Sequence, residues 1–300
     1  MIMSATVWTG ESDLSVAADA ALKTAARFWF IVFGASQLVF IAYVIAFYGG
    51  AAIRGDLQAW NRVIPSGYTP GHPMSNAAVA VHLFVAVAIM AAGPLQLIPQ
   101  IRQRAPRFHH WNGRLYATSL FMISVTGLQM IWSRADASVA QYVGTGLHAV
   151  LIMSFAALTV RYAIARDLTA HRRWALRLFM VVNAGLFFRI GLLQWVFLYK
   201  GPVGFDPKTF AGPFLSVWSI ADYVLPLVIL EIYLHARDRG GVTSRFATAV
   251  VLMMLTIAMG LGISTAATLL WAPRIRAVNS GKPIANAEHY SSNNQEGTVR

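Results

Sequence analysis

The sequence predicts an all-α fold, a polytopic bundle of seven transmembrane helices with its N-terminus in the cytoplasm. Three observations carry this. The chain of 300 residues is 57% hydrophobic and only 12% charged, about half the charge of a soluble globular protein. Segments free of Asp, Glu, Lys and Arg recur along it, long enough to cross a hydrocarbon layer of roughly 30 Å, which takes about 20 residues of helix. The basic residues gather in alternate short connections, as in membrane proteins whose cytoplasmic loops are positive. Alternating barrel patterning is absent, so the spans are helices whose backbone groups pair internally.

Taken in order, residues 1–27 carry Glu11, Asp13 and Asp19 and read as a cytoplasmic N-terminal segment rather than a cleaved leader. The spans fall at about 28–48, 77–98, 112–133, 142–163, 175–199, 211–235 and 246–271, within a membrane domain over 28–273. Pro and Gly punctuate the longer connections, "IPSGYTPGHP" (64–73) and "KGPVGFDPKTFAGP" (200–213). After Pro273 the chain turns polar, so 274–300 reads as a disordered tail.

Orientation follows from the connections. Lys23 and Arg27 precede the first span, and Arg102, Arg104, Arg107 and Arg114 surround the second connection. Arg161, Arg166, Arg172, Arg173 and Arg177 surround the fourth, and Arg237, Arg239 and Arg245 the sixth. The other connections are sparser, so the rich set is expected in the cytoplasm and the C-terminus outside. This distribution, rather than the net charge of +12, decides the partner: a lipid bilayer, and no nucleic acid. The absence of cysteine removes disulfides, thiolate metal sites, iron–sulfur clusters and covalently attached haem.

The chemistry-bearing residues are histidines near span ends. His82 and His148 fall near the outer ends of the second and fourth spans; His109 and His110 open the third, and His171 the fifth. Alternate helices lie diagonally opposite in a four-helix bundle, and facing side chains build its cofactor sites. Imidazole is a haem-iron ligand, and two from opposed helices give a six-coordinate, electron-transferring iron. On this reading His82 with His148 holds one haem b and His109 with His171 a second; equally, helix-end histidines reach the interface cheaply and need ligate nothing. His82, Gly93 and Gln96 share one helical face, and Gly93 or Ala86 could leave room for a flat macrocycle.

Two charges fall inside spans. Arg189 and Asp222 lie about ten residues from the outer ends of consecutive antiparallel helices, roughly 15 Å deep, which predicts a buried ion pair. The alternative is that Arg189 holds a haem propionate or a quinone carbonyl. Arg114 reads either as an interface anchor or, with Arg102 and Arg173, as a site for propionates or an anionic headgroup. Glu231 and His235, four apart, are expected to pair locally.

The stretch "GPLQLIPQIRQRAPRFHHWNGRLY" (93–116), with His82 before it and "HRRWALR" (171–177) after it, resembles the bacterial membrane-protein family called domain of unknown function 2306. That pattern has a helix-borne His, a Gln before a basic turn, P-x-x-H-R-x-x-G-R-x-Y, and later H-x-x-W with an Arg in the following helix. His82, Gln96, Pro106, His109, Gly113, Arg114, Tyr116, His171, Trp174 and Arg189 fit it over about 75–195. His110 stands where the family has Arg, which singles out His109; Ala175 replaces a more usual Met, and His148 lies outside the pattern. The resemblance implies a multi-pass protein of a bacterial inner membrane and no activity. The histidine layout is similar to that of the dihaem cytochrome b-561 superfamily, whose ligands also pair alternate helices, in arrangement rather than motif.

Two functions are thus expected from the sequence. One is a b-type haem protein moving electrons from a quinol or cytoplasmic reductant, as a membrane oxidoreductase subunit. The other is a non-haem transporter or binder of lipid or small molecules, with structural His, Arg and Asp. No dehydrogenase module or Gly-rich nucleotide loop accompanies the helices, so any redox partner is a separate molecule, and no residue pattern specifies an oligomeric state.

Overall fold

In a computed structural model that describes residues 8–64, 66–133, 138–207 and 209–280, the chain is a helical membrane bundle. Helix α1 runs Trp8–Val44 and continues through a π turn, Ile45–Gly49, to Ile53. Then come α2 (Pro73–Leu97), the short α3 (Pro99–Arg104), α4 (Pro106–Trp132), α5 (Val139–Ile164), α6 (Leu168–Val182), α7 (Ala184–Leu198) and α8 (Pro213–Arg239). Helix α9 (Val242–Thr265) continues through a second π turn, Ala266–Trp271, to Ser280. Among the described residues six helices are long and apolar enough to cross a bilayer; α6 and α7, bent by 49°, make a seventh span if taken together.

The helix starts have local causes. Proline stands at the first position of α2, α4 and α8, where its missing N–H costs nothing and its fixed φ suits the helix. Ser138 and Gln141 cap α5 reciprocally, and the Asp167 carboxylate accepts from the Ala170 amide at 2.9 Å to start α6. The bend after α6 is made by Asn183. Its side chain donates to the Phe179 carbonyl at 2.7 Å and accepts from Gln37 Nε2 of α1 at 2.6 Å, so a polar side chain competes with the helix ladder there.

Several boundaries differ from expectation, among them the helix starts at Pro106 and Leu168, six and seven residues before the expected 112 and 175. The first helix begins some twenty residues early, because Ala18, Leu22 and Ala25 form a buried helical stripe that meets Ala236, Ala249 and Leu252. The expected fifth span is two bent helices. The last helix runs through Arg274 to Ser280; the rest of the expected disordered tail, 281–300, lies outside the described residues.

Helices α2, α4, α5 and α6 pack around Val85, Ile89, Tyr116, Leu120, Ile152, Leu178 and Val181. Helix α1 lies along α9, joined by Phe33, Phe40, Tyr43, Met259, Ile263 and Trp271. In lipid, helices associate by close packing rather than by hydrophobic exclusion, and small residues permit it. At Gly144 a Cβ would lie 2.8 Å from the Ser219 carbonyl of α8, and Tyr223 Oη donates to the Gly144 carbonyl at 3.3 Å.

One end of the bundle is tied by ion pairs. Arg177 grips Glu231 at 2.6 Å, Arg245 meets Asp19 at 3.0 Å, and Arg173 pairs with Asp238. Glu231 is therefore held by Arg177 of α6, across to a second helix, and not by the His235 expected beside it. The same end carries the starts of α1, α6 and α9 and the end of α8, which makes it the basic end that the charge pattern defines.

Candidate functional site

The motif around "PRFHHWNGRLY" builds the seam between α2 and α4. Gln96 Nε2 donates to the His109 carbonyl at 3.2 Å, and a Cβ on Gly113 would lie 3.6 Å from Gln96 Oε1. Buried Asn112 donates to the Ala92 carbonyl at 3.0 Å. A Cβ on Gly93 would meet the rings of Phe179 at 3.3 Å and Tyr116 at 3.4 Å. His82, Gly93 and Gln96 all contact α4, as their shared face requires, but the space at Gly93 is filled by aromatic rings rather than left for a macrocycle. Arg114 is exposed, with its guanidinium 5.2 Å from the Trp111 ring centre. That contact is a cation–π pairing on the surface of the bundle.

The outer histidines are each tied elsewhere. His82 Nδ1 lies 3.0 Å from Thr126 Oγ1. The Thr126 hydroxyl gives its own proton to the Met122 carbonyl at 2.8 Å, so His82 is the donor and its Nε2 is left over. His148 Nε2 donates to the Val181 carbonyl at 2.8 Å, in the last turn of α6 where carbonyls lack intrahelical donors. Its ring stacks on Tyr223 with centres 5.1 Å apart. His82 lines a cavity of about 240 Å³ with Ser75, Gly127, Met130 and Thr145; His148 does not line it. Small-molecule sites run from about 300 to 1,000 Å³, so a macrocycle does not fit between His82 and His148 as they stand.

At the basic end His171 Nδ1 donates to the Thr159 carbonyl at 2.9 Å, leaving Nε2. His109 lies within electrostatic reach of His171, His110 and Arg102, and its Nδ1 is buried without a hydrogen-bond partner. His109 and His171 are thus within electrostatic reach of each other, as His82 and His148 are, and each ring keeps a nitrogen without a hydrogen bond. Among the described residues there is no group of three or more His, Asp or Glu able to hold a metal ion.

The expected Arg189–Asp222 pair is not formed. Arg189 donates to the Gly185 carbonyl at 2.7 Å and lies 4.9 Å over the Phe40 ring, on the side of α7 that faces α1. Asp222 lies on the wall of a cleft lined on the other side by Ile190, Gly191 and Gln194 of the same helix α7. The helix bends by 49° between Val182 and Ala184, and Arg189 is turned to Gly185 and Phe40 instead of to Asp222.

That cleft is the feature the histidines do not announce. Its volume is about 840 Å³, and its walls come from α1 (Trp29, Phe30), α6 and α7 (Phe179, Phe187), α8 (Trp218, Leu225) and α9 (Leu255, Met259), with the α2–α3 corner (Leu97, Pro99) at one end. Lys23 and Arg27 border it at the basic end. Asp222 is only 9% exposed, and its Oδ1 is buried with no hydrogen-bond partner. The sequence signal that could have found it is the intramembrane aspartate itself, once its assumed arginine is removed.

Comparison with known proteins places part of this frame. Residues 79–213 match a family described as "Predicted membrane protein (DUF2306)". No curated protein and no solved structure gives a significant match. The matched region runs from α2 to the first residue of α8, so it holds the motif seam and all four expected histidine ligands. Helices α1, α8 and α9, which supply much of the cleft wall, lie almost wholly outside it.

Proposed function

We propose that this chain is a membrane binder or carrier of an amphiphile, held in the cleft between α1, α6, α7, α8 and α9. The observation that carries this is the Asp222 carboxylate, buried in a wide apolar cleft with one oxygen unpaired. A buried acceptor left without a donor costs about 1–3 kcal/mol, and more in lipid if charged. A ligand with a hydroxyl or amine at that depth would relieve it, with its chain along Trp29, Phe187 and Leu255. The volume suits a lipid-sized or quinol-sized molecule, and Lys23 and Arg27 would favour an anionic group at the basic end. On this reading the protein sits in a bilayer and needs no redox partner.

Native mass spectrometry of protein released from membranes in mild detergent tests it. A bound species of lipid or quinone mass is expected in wild type. Asp222→Leu should lower its occupancy at least tenfold while leaving the melting temperature unchanged or higher, since an apolar replacement removes the unpaired group. Ala258→Trp should block the same species by filling the cleft. Ligand-free wild type, or undiminished occupancy in both variants, overturns the reading.

A second reading, electron transfer through b-type haem, is argued from the inner pair, since the cavity beside His82 is small and His148 does not line it. The His171 Nδ1–H bond to a carbonyl is the kind that orients metal-ligating histidines, and His109 has a buried unpaired nitrogen nearby. If haem is bound there, these two residues would hold it, and it would supply one-electron chemistry. A reduced-minus-oxidised absorption spectrum with a Soret change that His109→Ala abolishes and His110→Ala keeps would favour it; a featureless spectrum sinks it.

A further inference from the structure

We infer that the end of the bundle away from the basic loops holds a separate site for an oxyanion, framed by the two π turns of α1 and α9. π turns are rare and recur at functional sites; here Tyr48 lies in one and Trp271 in the other, and α1 packs against the second. Between them sits an aromatic group: Phe40, Tyr43 and Trp271, with Tyr43 and Trp271 stacked at 5.1 Å and Phe40 and Trp271 at 5.2 Å. Two guanidiniums flank it. Arg189 lies over Phe40 at 4.9 Å, and Arg274 stands one turn beyond Trp271 on the same helix. Both act electrostatically on the hydroxyls of Tyr43 and Tyr48.

Two observations point to a ligand. Among the described residues neither Arg189 nor Arg274 has a carboxylate within 4.0 Å, although a lone arginine within a span is costly. Tyr43 is 3% exposed, and its buried hydroxyl lies against Arg274 and Tyr48 without a hydrogen bond of good geometry to either. Positive charge is thus in excess: two guanidiniums lie about one aromatic group and one phenol, with no anion of the chain beside them among the described residues. A phosphate or carboxylate matches, because guanidinium binds such groups with paired, charge-assisted hydrogen bonds. Its source is a lipid headgroup or a free ion, and this site lies on α1, α7 and the end of α9, apart from the Asp222 cleft.

The test is thermal unfolding of the full-length protein in neutral detergent with chloride held at constant ionic strength. Inorganic phosphate is titrated in one arm and phosphatidylglycerol in the other, against phosphatidylcholine. Stabilisation by phosphate points to a free ion, and by phosphatidylglycerol alone to a headgroup; either supports the site. Arg274→Gln should raise the half-saturating concentration at least tenfold, and Tyr43→Phe should raise it several-fold without lowering the melting temperature of the unliganded protein. Arg274 lies near the end of its helix, so its variant folds even if an Arg189 variant does not. No stabilisation beyond chloride and phosphatidylcholine, or an undiminished effect in Arg274→Gln, overturns the site.

Discussion

Asn183 shows how one side chain redirects the chemistry of its neighbours. It takes the Phe179 carbonyl and the Gln37 amide, and the helix turns by 49° there. Replacing it with Leu would strand a buried Gln37 amide, at a cost of about 1–3 kcal/mol by the usual penalty for an unpaired buried group. Gln37→Leu alone should cost less, because Asn183 keeps its bond to Phe179, and the double variant should lie nearer to wild type than the sum of the singles. Thermal or denaturant unfolding of the four proteins checks this; additive losses would mean that the 2.6 Å contact contributes nothing of its own. The same residue bears on the expected Arg189–Asp222 pair, because matching the two depths by residue count assumes one straight helix through Asn183. The cost of a lone arginine was legible; its direction was not, because nothing in "VVNAGLFFR" says that Asn183 will bond to α1.

At the scale of elements, the apolar runs and the proline starts fixed which segments are helices, while their pairing rested on small residues that look alike in sequence. Gly191 and Gly113 separate the two kinds. A Cβ on Gly191 would fall 1.8 Å from the Trp218 ring, so α7 and α8 touch only because that position is bare. Gly191→Ala should destabilise by roughly 1–3 kcal/mol, the range for overpacking, and should also move Trp218, which lines the cleft. Gly113→Ala meets Gln96 at an ordinary 3.6 Å and should stay within about 0.5 kcal/mol, as unobtrusive substitutions do. Equal losses at the two positions in a melting series would show that the α7–α8 approach is looser than it stands. The motif resembled in the sequence acts at this level too: Gln96, Asn112, Gly113 and Tyr116 were visible as a pattern, and the structure makes them a helix seam. The cleft was not visible, because its walls come from many helices far apart in sequence and no local run of residues marks a hollow.

For the whole molecule, the open question of topology rests on a single element. Six helices each cross by length and composition, and the bent pair α6–α7 decides between six spans and seven. As one span, with 15 residues in each half, the pair reaches about 45 Å if straight at 1.5 Å per residue, ample for a hydrocarbon layer of about 30 Å even when bent. The ion pairs support that passage. Arg173 and Arg177 near the start of α6 tie to Asp238 and Glu231 near the end of α8, so α6–α7 leaves the basic end and α8 returns to it. A re-entrant pair would place the end of α7 and the start of α8 back at the basic end, against that antiparallel run. Seven crossings put the two chain ends on opposite faces, and the arginine-rich end should face the cytoplasm. A reporter fused after Arg300 is therefore expected to work only outside the cytoplasm, and one fused before Met1 only inside it. If both reporters work on one side, α6–α7 turns back within the membrane and the count is six; if each works on the side opposite to that stated, the count holds and the arginines face outward.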